Sequence, residues 1–163
     1  MNQPSLSFQF KERVEPDLDN YEVDPLGELN AFERGIRQFN WDHNRRVVIG
    51  VSDCEISFEL RRDLSRIYFE LPTEIAELHQ GANFAFMLPE LSWTIRFFTE
   101  GETVRCVMSD DPDDKDYGKF ALEKSQVVTA LVEFITEIVM EAVETGYVTE
   151  EDAKEFLAPV AEL

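Results

Sequence analysis

Basic residues are scarce in this chain. Fifteen Lys and Arg stand against thirty-four Asp and Glu, a formal charge of −19 over 163 residues. Such a surface repels the phosphates of DNA, RNA and anionic membranes, so nucleic acid and membrane are excluded as partners. What remains is a basic protein, cations, or no partner. Cysteine is almost as rare: Cys54 and Cys106 form no CxxC or other metal spacing. Both fall on strand faces expected to be buried, where a thiol is inert. No apolar run approaches the ~18 residues of a membrane span. The opening MNQPSLSFQFKERVE lacks a signal peptide's basic start and apolar stretch, so a cytoplasmic protein with reduced thiols is expected.

Catalytic signatures are missing too. The two histidines, His43 and His79, are set beside no cysteine or serine by the sequence. Placing Gly118 at the sixth position of a calcium loop puts Lys115, Tyr117 and Lys124 where oxygen ligands are required, and the match fails. The sequence therefore points to no enzyme, no metal and no cofactor.

What is present is a core. Hydrophobic residues make up 44% of the chain, with 13 Phe among them. A chain of this length buries roughly 70% of its unfolded surface. One α+β domain over 1–163 is expected, with 149–163 as a short C-terminal helical arm. The charge is uneven: residues 31–66 carry seven arginines against six acids, whereas residues 109–163 carry fifteen acids against four bases.

Periodicity sets out the elements. Leu6, Phe8 and Phe10 alternate with polar residues as in a half-buried strand, and an acidic loop follows from Glu15 to Asp24. Asp24-Pro25 supplies a cap and a first-turn proline for an amphipathic helix over 25–39, slightly weakened by Gly27 and Gly35. Residues 46–60 read as a hairpin turning at Ser52-Asp53, with Val51 facing Cys54, Ile49 facing Ile56 and Val47 facing Phe58. A helix over 63–80 is capped by Asp63 and interrupted by Pro72; Ile67-Tyr68-Phe69 would also suit a strand. Residues 83–108 form a three-stranded meander turning at Pro89-Glu90 and Glu100-Gly101. In that register Phe84 meets Ile95, Phe86 meets Trp93, and Phe97 meets Val104. After an acidic linker, a long helix runs over 120–145, and Thr149 caps a last one. The expected architecture is an antiparallel sheet of five or six strands, covered on one face by helices, with a long C-terminal helix.

Three constellations stand out. Glu133, Glu137, Glu141 and Glu144 share one helix face, and like charges at this spacing cost about 0.2–0.5 kcal/mol each. Three readings fit that ridge: a solvated face, pairing with Arg34, Arg37, Arg61 or Arg66, or a surface for a basic partner. Asp110, Asp111, Asp113, Asp114 and Asp116 crowd the preceding linker as a solvated turn or a contact loop for the same partner. Arg96 and Arg105 fall opposite each other on the outer face of the meander. Opposed like charges there call for flanking acids or a small anion between them.

The order helix, hairpin, helix, meander, terminal helices, with the DLxxIxxxL pattern from Asp63 to Leu71 and the Glu100-Gly101-Glu102 turn, resembles the small acidic immunity proteins of bacterial toxin systems. The likeness covers residues 25–145 and rests on architecture and charge. It implies a cytoplasmic, non-enzymatic protein that binds and blocks a basic toxin; no individual residue transfers. Acidic secretion chaperones, usually dimeric, have a similar profile, so monomer and homodimer both stay open.

Overall fold

A computed structural model describes residues 4–14, 24–61, 68–88, 93–110 and 115–163. The first sheet has the order β1-β2-β3, from β1 (Leu6–Arg13), β2 (Arg45–Val51) and β3 (Cys54–Glu59). Its hairpin has the expected register, Val51 opposite Cys54, Ile49 opposite Ile56 and Val47 opposite Phe58. All of these except the half-buried Cys54 are buried. Ser52 takes the turn at φ 57°, a conformation that disfavours any side chain but that the closing pair requires.

The second sheet has the order β4-β5-β6-β7, from β4 (Phe84–Leu88), β5 (Trp93–Glu100), β6 (Thr103–Asp110) and β7 (Lys115–Glu123). Two expectations need correction here. The meander is registered two residues away from the sequence reading: Phe84 pairs Phe97, Phe86 pairs Ile95, and Phe97 pairs Cys106. Between β5 and β6 the cause is Gly101, which at φ 65° takes the first place of a Gly101-Glu102 turn closed by Glu100 and Thr103. The β4–β5 turn at Pro89-Glu90 lies outside the described residues. The strand count is also wrong. Among the described residues seven strands in two antiparallel sheets replace one sheet of five or six, because residues 115–123, read as linker and helix start, form β7 along β6.

The helices start later than expected. The first, α1 (Ala31–Asp42), is capped not by Asp24 but by Asn30, whose side chain takes the Glu33 N–H at 2.8 Å while Glu33 returns the bond to Asn30 N–H at 3.1 Å. Asp24 instead closes a turn onto the N–H groups of Glu28 and Leu29, leaving Leu26 77% exposed. Trp41 and Asp42 carry α1 past the end expected at residue 39. A 3-10 turn at Tyr68–Glu70 leads into α2 (Leu71–His79), where Pro72 stands in the first turn rather than kinking a longer helix. The capping reading at Asp63 and most of the loop from Glu15 lie outside the described residues. The long helix is α3 (Lys124–Glu144), and α4 (Glu150–Leu157) begins with Thr149 accepting the Asp152 N–H at 3.1 Å. Ala153 of α4 and Val160 belong to the same continuous core as Leu6, so the C-terminal arm is packed in.

The titration of Glu74 in α2 is displaced upward, first by burial and then by Glu70 in the preceding turn and Glu77 on the same helix. A raised folded pKa means its contribution is full below the ordinary glutamate range and declines as pH rises through it. Glu74→Gln is therefore expected to stabilise the fold by about 0.5 kcal/mol near pH 7, from two relieved like-charge pairs. That gain should vanish near about pH 4. Urea denaturation at the two pH values checks it, and an equal gain at both would disprove the electrostatic origin.

Candidate partner-binding surface

Helix α3 is built with two unlike faces. Val127, Val128, Leu131, Phe134, Ile135, Ile138, Val139 and Ala142 are buried, at the spacings of a wide apolar stripe. The opposite flank carries the ridge. Glu133, Glu137 and Glu144 are exposed and, among the described residues, make no ion pair. Glu141 is half-buried, with Arg45 Nη1 3.6 Å away. The internal partner is thus none of the arginines expected: Arg61 lies over the Trp41 ring at 4.5 Å and Arg37 beside the Phe69 ring at 5.7 Å. Arg34 is exposed, and Arg66 lies outside the described residues. Met140, 40% exposed, sits one turn from both Glu137 and Glu144, so an apolar side chain interrupts the row of charge.

The ridge borders a groove of about 560 Å³ between α3 and β1. Its walls are Phe8, Phe10, Ala130 and Phe134, with Glu123, Glu133 and Glu137 on the rim. Phe8 stacks on Phe134 at 4.3 Å and Phe10 at 5.7 Å. Arg45 bridges the two features, its guanidinium 4.9 Å from the Phe10 ring. Sequence reasoning missed this groove. The alternation at Leu6, Phe8 and Phe10 was visible, but not that α3 would lie along that strand.

Asp110 and Asp116 sit in paired strands, opposite Lys115 and Ser109 respectively, rather than in a linker. Asp111, Asp113 and Asp114 lie outside the described residues. Arg96 and Arg105 are not opposed: the two-residue shift places Arg96 against Val107 and Arg105 against Phe98. Arg96 donates to Ser109 Oγ at 2.7 Å, and Arg105 pairs with Glu100 at 3.3 Å while lying 4.7 Å from the Phe98 ring. No anion is needed to separate them. Burial pushes the Cys106 thiol up to about 12, with the nearby Cys54 adding to it, so it stays protonated at neutral pH. His43 stacks on Phe39 at 5.1 Å and meets the Tyr147 ring edge-on at 5.4 Å.

A second concavity of about 430 Å³ gathers Phe32, Phe69 and Phe156 under Glu33, Asp152 and Glu155. It repeats the chemistry of the first, aromatic floor and acidic rim. Among the described residues no three His, Cys, Asp or Glu side chains converge as a metal site requires. No helix among them is long and apolar enough to cross a membrane. The chain matches no family model, no curated protein and no solved structure.

Proposed function

We propose that this chain is a non-enzymatic binding protein whose acidic α3 flank captures a basic protein partner, in the manner of an immunity protein that sequesters a toxin. One observation carries the reading: Glu133, Glu137 and Glu144 are exposed along one flank of α3 without an ion pair among the described residues. A helix surface shaped only for stability would alternate signs, because each like-charged neighbour opposes the fold. Met140 within the row supplies the apolar anchor that charge alone lacks, since affinity comes from buried anchors while charge sets encounter rate and selectivity. The chaperone alternative needs a continuous apolar strip. The exposed large apolar side chains among the described residues, Leu26, Met87, Met140 and Leu163, belong to four separate segments, which favours the binder.

The test is capture from native lysate on the immobilised full chain. Retained proteins are expected to be enriched in basic species and to elute as salt rises from about 0.05 to 0.5 M, where screening shortens to a few ångström. Retention indifferent to salt, or of proteins no more basic than the lysate, would refute the reading.

A further inference from the structure

We infer that the groove between β1 and α3 receives an extended basic segment of the partner as an added strand on the open edge of β1. This rests on the reading above and specifies how the partner is held.

The main-chain directions follow from the hairpin. A two-residue turn at Ser52-Asp53 makes Val51 and Cys54 a hydrogen-bonded pair, so Val51 turns its N–H and C=O toward β3. Its partner on the other side, Leu6, then turns its own N–H and C=O away from β2. Gln126 on α3 shows the same thing independently. Its side-chain amide accepts the Leu6 N–H at 2.9 Å and donates to the Leu6 C=O at 2.7 Å. That amide stands where the first peptide unit of a further strand would stand. By the alternation of a strand, Phe8 and Phe10 point their N–H and C=O the same way. Among the described residues no strand or side chain takes them.

Exposed strand edges are usually blunted by charge, proline or a bulge. In β1 the irregular register and the basic Lys11 and Arg13 come only after Phe10, leaving the edge open at Phe8 and Phe10. Strand addition takes affinity from such main-chain bonds and specificity from alternate side chains. Here the alternate positions would meet the Phe8, Phe10 and Phe134 rings on one side and the Glu123, Glu133 and Glu137 carboxylates at the rim. Charge selects the occupant. A second copy of this chain would bring another −19 and a second acidic rim to the same edge. A segment alternating lysine or arginine with apolar residues satisfies both walls.

The probe is a synthetic peptide of about ten residues alternating lysine and valine, long enough to span a typical strand. Its controls are the same peptide N-methylated at every amide, which keeps the charge but cannot donate, and the glutamate–valine peptide. The readout is NMR amide exchange on the full chain. The lysine peptide is expected to slow exchange at Phe8 and Phe10 by about tenfold or more, and neither control should do so. Binding of the lysine peptide without protection at these amides, or equal protection by the N-methylated peptide, overturns strand addition and leaves the acidic-surface reading standing. No salt-dependent binding of the lysine peptide up to about 1 mM overturns both. Protection that rises with protein concentration alone overturns the inference in favour of a second copy.

Discussion

Truncating Phe134 to alanine is expected to destabilise the protein by about 3–5 kcal/mol, the range for a buried phenylalanine whose site cannot collapse. Phe134 is 2% exposed at the middle of α3. Its ring stacks on Phe8 of β1 at 4.3 Å and meets Phe58 of β3 at 6.3 Å and Phe86 of β4 at 6.5 Å, both nearly edge-on. It is therefore a side chain through which α3 touches both sheets. Removing it leaves a void bounded by three elements that would have to move together, so little relaxation is available. Phe134→Leu keeps most of the volume and should cost about 1.5 kcal/mol or less. Urea denaturation reads both values. A loss under about 1 kcal/mol for the alanine variant would show that the sheets are not joined through this ring. A double-mutant cycle with Phe8→Leu should return a coupling of about 0.5–1.5 kcal/mol, the worth of a ring pair beyond its buried area.

How far the sequence reveals this fold depends on the range of the deciding interaction. The hairpin at Ser52-Asp53 was legible because its partners are neighbours in the chain and its alternation has one consistent turn. The meander was legible in face but not in register. A period of two cannot distinguish a slip of two residues, and between β5 and β6 the left-handed conformation of Gly101 decided the matter. Strand β7 was hidden because nothing punctuates its junction with α3: Glu123 makes no side-chain cap, and Phe120 and Leu122 run straight into the helical stripe. At α1 two capping signals competed, and the reciprocal pair Asn30 and Glu33 prevailed over the isolated Asp24. Gly35 was read as a weakness of that helix. A Cβ there would lie 2.3 Å from the Tyr147 carbonyl oxygen and 2.6 Å from Val148 Cγ1, so glycine is what lets α1 close onto the segment after α3. The glutamate ridge was legible because helical spacing alone puts it on one face. Its contact with Arg45 was not, since that needs the start of β2 to lie against the end of α3.

Reversing Glu133 and Glu137 to lysine should slow association with the basic partner about 10- to 100-fold at low ionic strength and change dissociation far less. Each substitution removes one negative charge and adds one positive, so the formal charge moves from −19 to −15. The required control carries the same net change elsewhere: Glu150→Lys with Glu151→Lys, two exposed positions at the start of α4. If long-range net charge governs encounter, the two double variants slow association equally. If the α3 flank is the landing surface, the ridge variant loses most of its rate and most of its salt dependence, while the α4 variant keeps both. Toward physiological salt the local effect should dominate, because the screening length there is about 8 Å and charges beyond it contribute little. Met140→Ala separates the remaining term. Removing an apolar anchor leaves the encounter rate intact and speeds dissociation. Stopped-flow association of the captured partner, measured across a salt series, resolves these outcomes. Equal rates for the wild-type chain and the ridge variant at every salt concentration would reduce the carboxylates to a solvated helix face.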